Sequence, residues 1–138
     1  MSNYAKYKDL GDGNKTENFT SESGKQASTK HSTVYELKSK EDKLTLIKHN
    51  KLCVVDIWAD WCQPCKQIAP RYSQLAQKYT RLGECVLVKE NVESKISDNI
   101  RGVPTFHFFK NGDFLHHKTI VGADIKKVEE TIDELLKV

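Results

Sequence analysis

Cys53-Val54-Val55-Asp56-Ile57-Trp58 is a nearly continuous apolar run, interrupted by a single carboxylate. A strand that does not alternate has no face to offer water, so it belongs in the middle of a sheet covered on both sides. The flanking sequence supplies the cover. Upstream, Val34 to Leu37 reads as a short edge strand. Ser39 followed by Asp42 resembles a capping box, and Leu44, Leu46 and Ile47 then give a short amphipathic helix ending near Asn50. Downstream, Ile68, Tyr72, Leu75, Ala76 and Tyr79 mark one buried stripe of a long helix, with a kink expected at Pro70. Gly83 ends that stretch, and Val86-Leu87-Val88 is a second buried strand. Thr105 to Phe109 and Phe114 to Val121 read as the two strands of a hairpin turning through Lys110-Asn111-Gly112-Asp113. Asp124 can cap a last helix with the stripe Ile125, Val128, Ile132 and Leu135. The order β-α-β-α-β, a short segment, then β-β-α predicts an α/β domain: a parallel portion joined by helices, an antiparallel hairpin and a closing helix.

Residues 1–33 depart from this pattern. They hold Gly11, Gly13 and Gly24, many Ser, Thr and Asn, and few large apolar residues, so too little area is buried to offset ordering entropy. They read as a flexible polar extension, with 34–138 as the folded domain. A hydrophobic content of 38% over 138 residues fills one core if concentrated there. The net charge of +3 comes from 22 basic and 19 acidic residues, and 19 of the basic ones are Lys. No dense basic stripe with interleaved aromatics occurs, which argues against nucleic acid as a partner. Nor does any stretch approach the roughly 20 apolar residues needed to cross a membrane. Met1 to Leu10 lacks the apolar core of a secretory signal, so a cytoplasmic location is expected and the Asn18-Phe19-Thr20 sequon carries no weight.

In a reducing compartment the four cysteines are redox or metal groups rather than staples. Cys62 and Cys65, two residues apart at a helix start, have a definite use. Unpaired N–H groups and aligned peptide dipoles favour a thiolate there, lowering a thiol pKa from about 8.5 towards about 7. The thiolate is the attacking form, and a second cysteine one turn on can resolve the mixed disulfide. Cys62 is then the exposed nucleophile and Cys65 the more buried resolving thiol. Pro64 suits the first helical turn, and Lys66 adds positive charge. A zinc site needs two further ligands at fixed spacing. Cys53 and Cys85 lie in the buried strands, and His116 and His117, as strand neighbours, point to opposite faces, so no metal is expected.

The segment Val55 to Lys66, with Trp61-Cys62-Gln63-Pro64-Cys65-Lys66 at its end, resembles the active-site signature of the thioredoxin family. The likeness continues through Ile68-Ala69-Pro70, Arg101-Gly102-Val103-Pro104-Thr105, Phe109-Lys110-Asn111-Gly112 and Gly122, in family order across Val34 to Val138. It implies a thioredoxin-like fold, a central mixed sheet flanked by helices, and the disordered N-terminal extension read from composition lies outside the family pattern. It implies that Asp56 is the buried acid that moves the proton of Cys65, that Lys89 modulates Asp56, and that Pro104 is a cis-proline facing the cysteines. Trp61, Gly102, Val103 and Gly122 would complete a flat surface for protein substrates, with Trp58 packed behind the active site. Gln63 stands where most members have Gly, and with Pro64 it tunes the redox potential. The interval from Lys89 to Pro104 is several residues shorter than the family pattern and leaves room for only a stub of the usual helix.

The function expected is reduction of protein disulfides by a Cys62/Cys65 dithiol–disulfide cycle in a monomer. No cofactor is bound beyond the redox-active disulfide itself, and electrons come from a reductase or a small thiol. An isomerase or oxidase of the protein disulfide isomerase kind is one alternative, and a non-enzymatic binding or scaffold module another. Cys53 and Cys85 read as inert core thiols, a regulatory disulfide between them being the sharper idea. His107 reads as a strand side chain between Phe106 and Phe108.

Overall fold

Strand β2 (Leu52–Trp58) is the middle of a mixed sheet. In the computed structural model, which describes residues 34–137, it pairs in parallel with β3 (Cys85–Asn91) and antiparallel with β4 (Thr105–Lys110) along nearly its whole length. β1 (Tyr35–Glu36) adds in parallel to the outer edge of β3. β5 (Asp113–Phe114) and β6 (Ile120–Val121) pair with opposite ends of β4.

Helices cover both faces, as the run in β2 demands. α2 (Gln63–Tyr79) and α3 (Ile125–Leu136) lie on one face, where Ile68, Tyr72, Leu75, Val128 and Ile132 pack on Val54, Leu87, Phe106 and Phe108. α1 (Lys40–His49) lies on the other, with Leu46 and Ile47 against Cys53, Val55, Ile57, Val86 and Val88. Each fully buried aliphatic or Phe side chain contributes about 1.5–3 kcal/mol, so these two clusters hold the sheet between its helices. Buried Tyr72 ties α2 to two neighbouring strands, its hydroxyl lying 3.2 Å from Val54 O and 2.7 Å from Val88 O.

Local signals place the helix ends. Ser39 Oγ accepts from Asp42 N at 3.0 Å. The reciprocal half of the box is redirected, because Asp42 Oδ2 accepts from Lys38 N and from the Tyr35 hydroxyl, both at 2.8 Å. Asn50 ends α1 and receives Gly83 N on its side chain at 2.8 Å. Asp124 Oδ1 accepts from Lys127 N at 3.1 Å, capping α3. α2 continues unbroken through Pro70.

The expectation of one strand from Phe114 to Val121 is corrected. Pairing runs Phe109 with Phe114, then resumes at Phe106 with Ile120, so the second strand has three extra residues to place. They go into a 3₁₀ turn at His116–Lys118, closed by Lys118 N to Leu115 O at 3.0 Å and Thr119 N to His116 O at 3.1 Å. The polar run His116-His117-Lys118-Thr119 offers no inward apolar residue to hold a ladder. His116 and His117 are therefore exposed on a turn and not on strand faces. Between β3 and β4 a 3₁₀ turn at Val92–Ser94 is the stub expected of the shortened interval. A buried ion pair ties the end of β3 and the loop beyond this turn to α1: Lys43 Nζ reaches Glu90 Oε1 at 3.0 Å and Ser97 Oγ at 2.7 Å.

Candidate active site

β2 delivers the chain directly to the cysteines. Ala59 follows the strand, and Ala59 O accepts Cys62 N at 3.2 Å, turning the backbone so that α2 starts at Gln63. Cys62 is the N-cap, in extended conformation, and Gln63, Pro64 and Cys65 fill the first turn. Pro64 has no N–H to leave unpaired there. The Sγ of Cys62 takes the place of a capping oxygen, accepting the Cys65 amide at 3.2 Å. Cys62 and Cys65 are joined as a disulfide, with their Cα atoms 5.3 Å apart. Ala59 and the two cysteines form a small cluster backed by Trp58, Val92 and Val103. That cover corrects one expectation. In the disulfide state both cysteines are buried, Cys62 no less than Cys65 in kind, so exposure does not tell them apart.

Of the other residues expected at the site, Val103 packs on the cluster that holds the pair. The Val103–Pro104 peptide bond is cis. Gly122, at φ +111°, a conformation that side chains other than glycine rarely adopt, sends its N–H to Pro104 O at 2.8 Å. Val121, beside it, is 63% exposed, and a Cβ at Gly102 would lie 3.6 Å from its Cγ1. Trp61 is 67% exposed, its indole N–H held at 2.9 Å by Glu93 Oε2. Sequence reasoning did not find Val121 or Glu93. Val121 reads in the sequence as one more strand residue, and Glu93 meets Trp61 from the 3₁₀ turn after β3.

Asp56 is buried on the sheet face that α2 covers, and its Oδ1 has no hydrogen-bond partner. Burial pushes its carboxyl up to about 7, against the opposing pull of Lys89 and with a smaller push from Glu36. A cavity of about 260 Å³ reaches it, lined also by Val34, Lys66, Ala69, Tyr72 and Lys89. Lys89 is paired in register with Asp56 across β2 and β3. Its ammonium nevertheless turns to Glu36 Oε1 at 3.9 Å and over the Trp58 ring at 5.3 Å.

The other cysteines are far from reactive. Cys53 pairs with Val86 and Cys85 with Leu52, so the two thiols point to opposite faces of the sheet. That geometry rules out the regulatory disulfide. Burial raises both to about 12. His107 is pushed down to about 4, first by burial and then by Lys43 and His116. It stacks on Phe114 with ring centroids 4.6 Å apart. Among the described residues no group of three or more His, Cys, Asp or Glu is placed to hold a metal, and no helix is long and apolar enough to cross a membrane.

The family model described as Thioredoxin matches residues 33–134. The chain belongs to the thioredoxin family. It is 35% identical to thioredoxin 1 of Plasmodium falciparum over 94 residues, covering 65% of this chain and 86% of that protein. Thioredoxin of Sus scrofa is 37% identical, covering 62% and 81%. Among solved structures, Schistosoma mansoni thioredoxin superposes with a TM-score of 0.62 at 40% identity, covering 73% of this chain and 94% of that one. Mitochondrial thioredoxin 3 of Saccharomyces cerevisiae does so at 0.68 and 28%, covering 76% and 98%. With the Cys62–Cys65 pair in place, this member of the thioredoxin family is a protein thiol–disulfide oxidoreductase.

Proposed function

We propose that the domain of residues 34–138 reduces protein disulfides with Cys62 as nucleophile, Cys65 as resolving thiol and Asp56 as the proton carrier. The Cys62 thiolate attacks one substrate sulfur, a mixed disulfide forms, and the other substrate sulfur leaves and takes up a proton. Cys65 then passes its proton to Asp56 and attacks Cys62 Sγ. The Cys62–Cys65 bond forms, the mixed disulfide breaks, and two electrons have moved to the substrate. What carries this reading is the Cys62 sulfur accepting an amide at the positive end of a 17-residue helix. That setting favours the thiolate on Cys62 and leaves Cys65 within the first turn to follow it.

Asp56 suits its role because a carboxyl with a pKa of about 7 both takes and gives a proton near neutrality. Lys89 modulates it. Trp61, Gly102, Val103, Pro104 and Gly122 form the surface that receives a substrate segment, and Gln63 with Pro64 tunes the potential. Electrons return from a reductase or a small thiol. The cycle needs no metal or other cofactor, no nucleic acid and no membrane, and it runs in a monomer in a reducing compartment such as the cytoplasm. Reduction of insulin by dithiothreitol is the test. Wild type should accelerate it and Cys62→Ser should not; equal rates for the two would refute the assignment of Cys62.

A further inference from the structure

Three charged residues stand in one row across the sheet. Glu36 of β1 is in register with Lys89 of β3, which is in register with Asp56 of β2. Partners in register project from the same face, so the row reads minus, plus, minus, with the single cation between two carboxylates. The outer carboxylate has it: Lys89 Nζ is 3.9 Å from Glu36 Oε1, while Asp56 Oδ1 has no hydrogen-bond partner. The second oxygen of Glu36 accepts the Trp58 indole N–H at 3.1 Å. Trp58 lies two residues beyond Asp56 and packs against the two cysteines. One side chain on the edge strand thus holds both the cation beside the acid and the ring behind the disulfide.

We propose that Glu36 is a positioning residue: by holding Lys89 and Trp58 it sets how readily Asp56 gives and takes its proton. The inference rests on the role for Asp56 proposed above. The groups facing Asp56 are few. β3 offers Lys89, β1 offers Glu36, α2 offers Lys66 and Tyr72, and β4 offers the apolar Phe106. Of these only Glu36 acts twice in one direction. Its own charge disfavours ionisation of Asp56, and its contact with Lys89 draws off part of the opposing charge that acts on the acid.

Glu36→Gln removes the charge but keeps an oxygen for the Trp58 N–H, and Glu36 is partly exposed, so the fold should survive. The measurement is the titration of the Asp56 carboxyl carbon by ¹³C NMR in the oxidised protein, alongside the pH profile of insulin reduction. In Glu36→Gln the Asp56 midpoint should fall by roughly half a unit to one unit, the size of a screened charge–charge effect, and the pH profile should move with it. In a Lys89→Met background the shift should shrink, because one of its two routes is gone. An Asp56 midpoint that does not move in Glu36→Gln overturns the proposal, as does an undiminished shift in the Lys89→Met background. The carbon titrates whether or not the protein turns over, so this failure is separable from retained activity in Cys62→Ser, which would sink the catalytic reading instead.

Discussion

Asp56→Asn should stabilise the protein more at high pH than at low. The ordinary carboxyl value of 3.8 is that of the unfolded chain, and burial raises it to about 7 in the folded one. Between those values the folded chain keeps a proton that the unfolded chain has lost, so stability falls as the pH rises. Below both values neither state is charged and the cost vanishes; above both it is complete. At about 1.4 kcal/mol per pKa unit, ionised Asp56 costs the fold about 4 kcal/mol. Asparagine has a similar shape and does not titrate, so any cost of burying its amide is the same at every pH. Guanidinium unfolding of wild type and Asp56→Asn, both oxidised, at pH 5 and pH 9 isolates the effect. The advantage of the variant should be larger at pH 9 by about 2–3 kcal/mol, allowing for the partial ionisation cost already present at pH 5. An equal difference at the two pH values would refute a buried, uncompensated ionisation at this position.

Lys43→Met strands Glu90, whose Oε2 already has no partner, and should cost about 3–5 kcal/mol in denaturant unfolding, most of it recovered in Lys43→Met/Glu90→Leu. Cys53 and Cys85, buried and held near 12, should resist iodoacetamide at pH 8 in the oxidised native protein and yield two labels once unfolded, as counted by mass spectrometry. Trp61→Ala removes an indole that is mostly in water, so stability should change by less than about 1 kcal/mol, whereas kcat/KM for insulin should fall about fivefold or more and that for a small aromatic disulfide much less. Asp124→Ala should lower stability by about 1 kcal/mol through loss of the α3 cap, seen as a lower denaturation midpoint.

Much of the fold is legible in the sequence because its signals are local. The apolar run at Cys53–Trp58, the stripe from Ile68 to Tyr79 and the caps at Ser39 and Asp124 each state their structure within a few residues. The hairpin failed where local pattern was not enough. Phe114 and Ile120 both belong beside β4, but only the register discloses that three residues too many lie between them. Register is also what separates Cys53 from Cys85 and lines up Glu36, Lys89 and Asp56, and no one-dimensional pattern contains it. The cysteine pair was readable because its chemistry depends on a spacing of three along one helix. Glu93 was not, since its bond to Trp61 spans two elements that meet only in the folded chain.

The sheet grades its own resistance to opening. β2, bonded on both sides over nearly all its length and covered by helices, should be among the last segments to exchange its amide hydrogens. β1 is two residues long and, among the described residues, has a neighbour on one side only. The disulfide is therefore mounted at the exit of a strand that stays shut, while Glu36 hangs on one that frays early. Mild heat or sub-denaturing urea should detach that carboxylate first, and the acid beneath the sheet should begin to titrate differently while the dithiol is still fully in place.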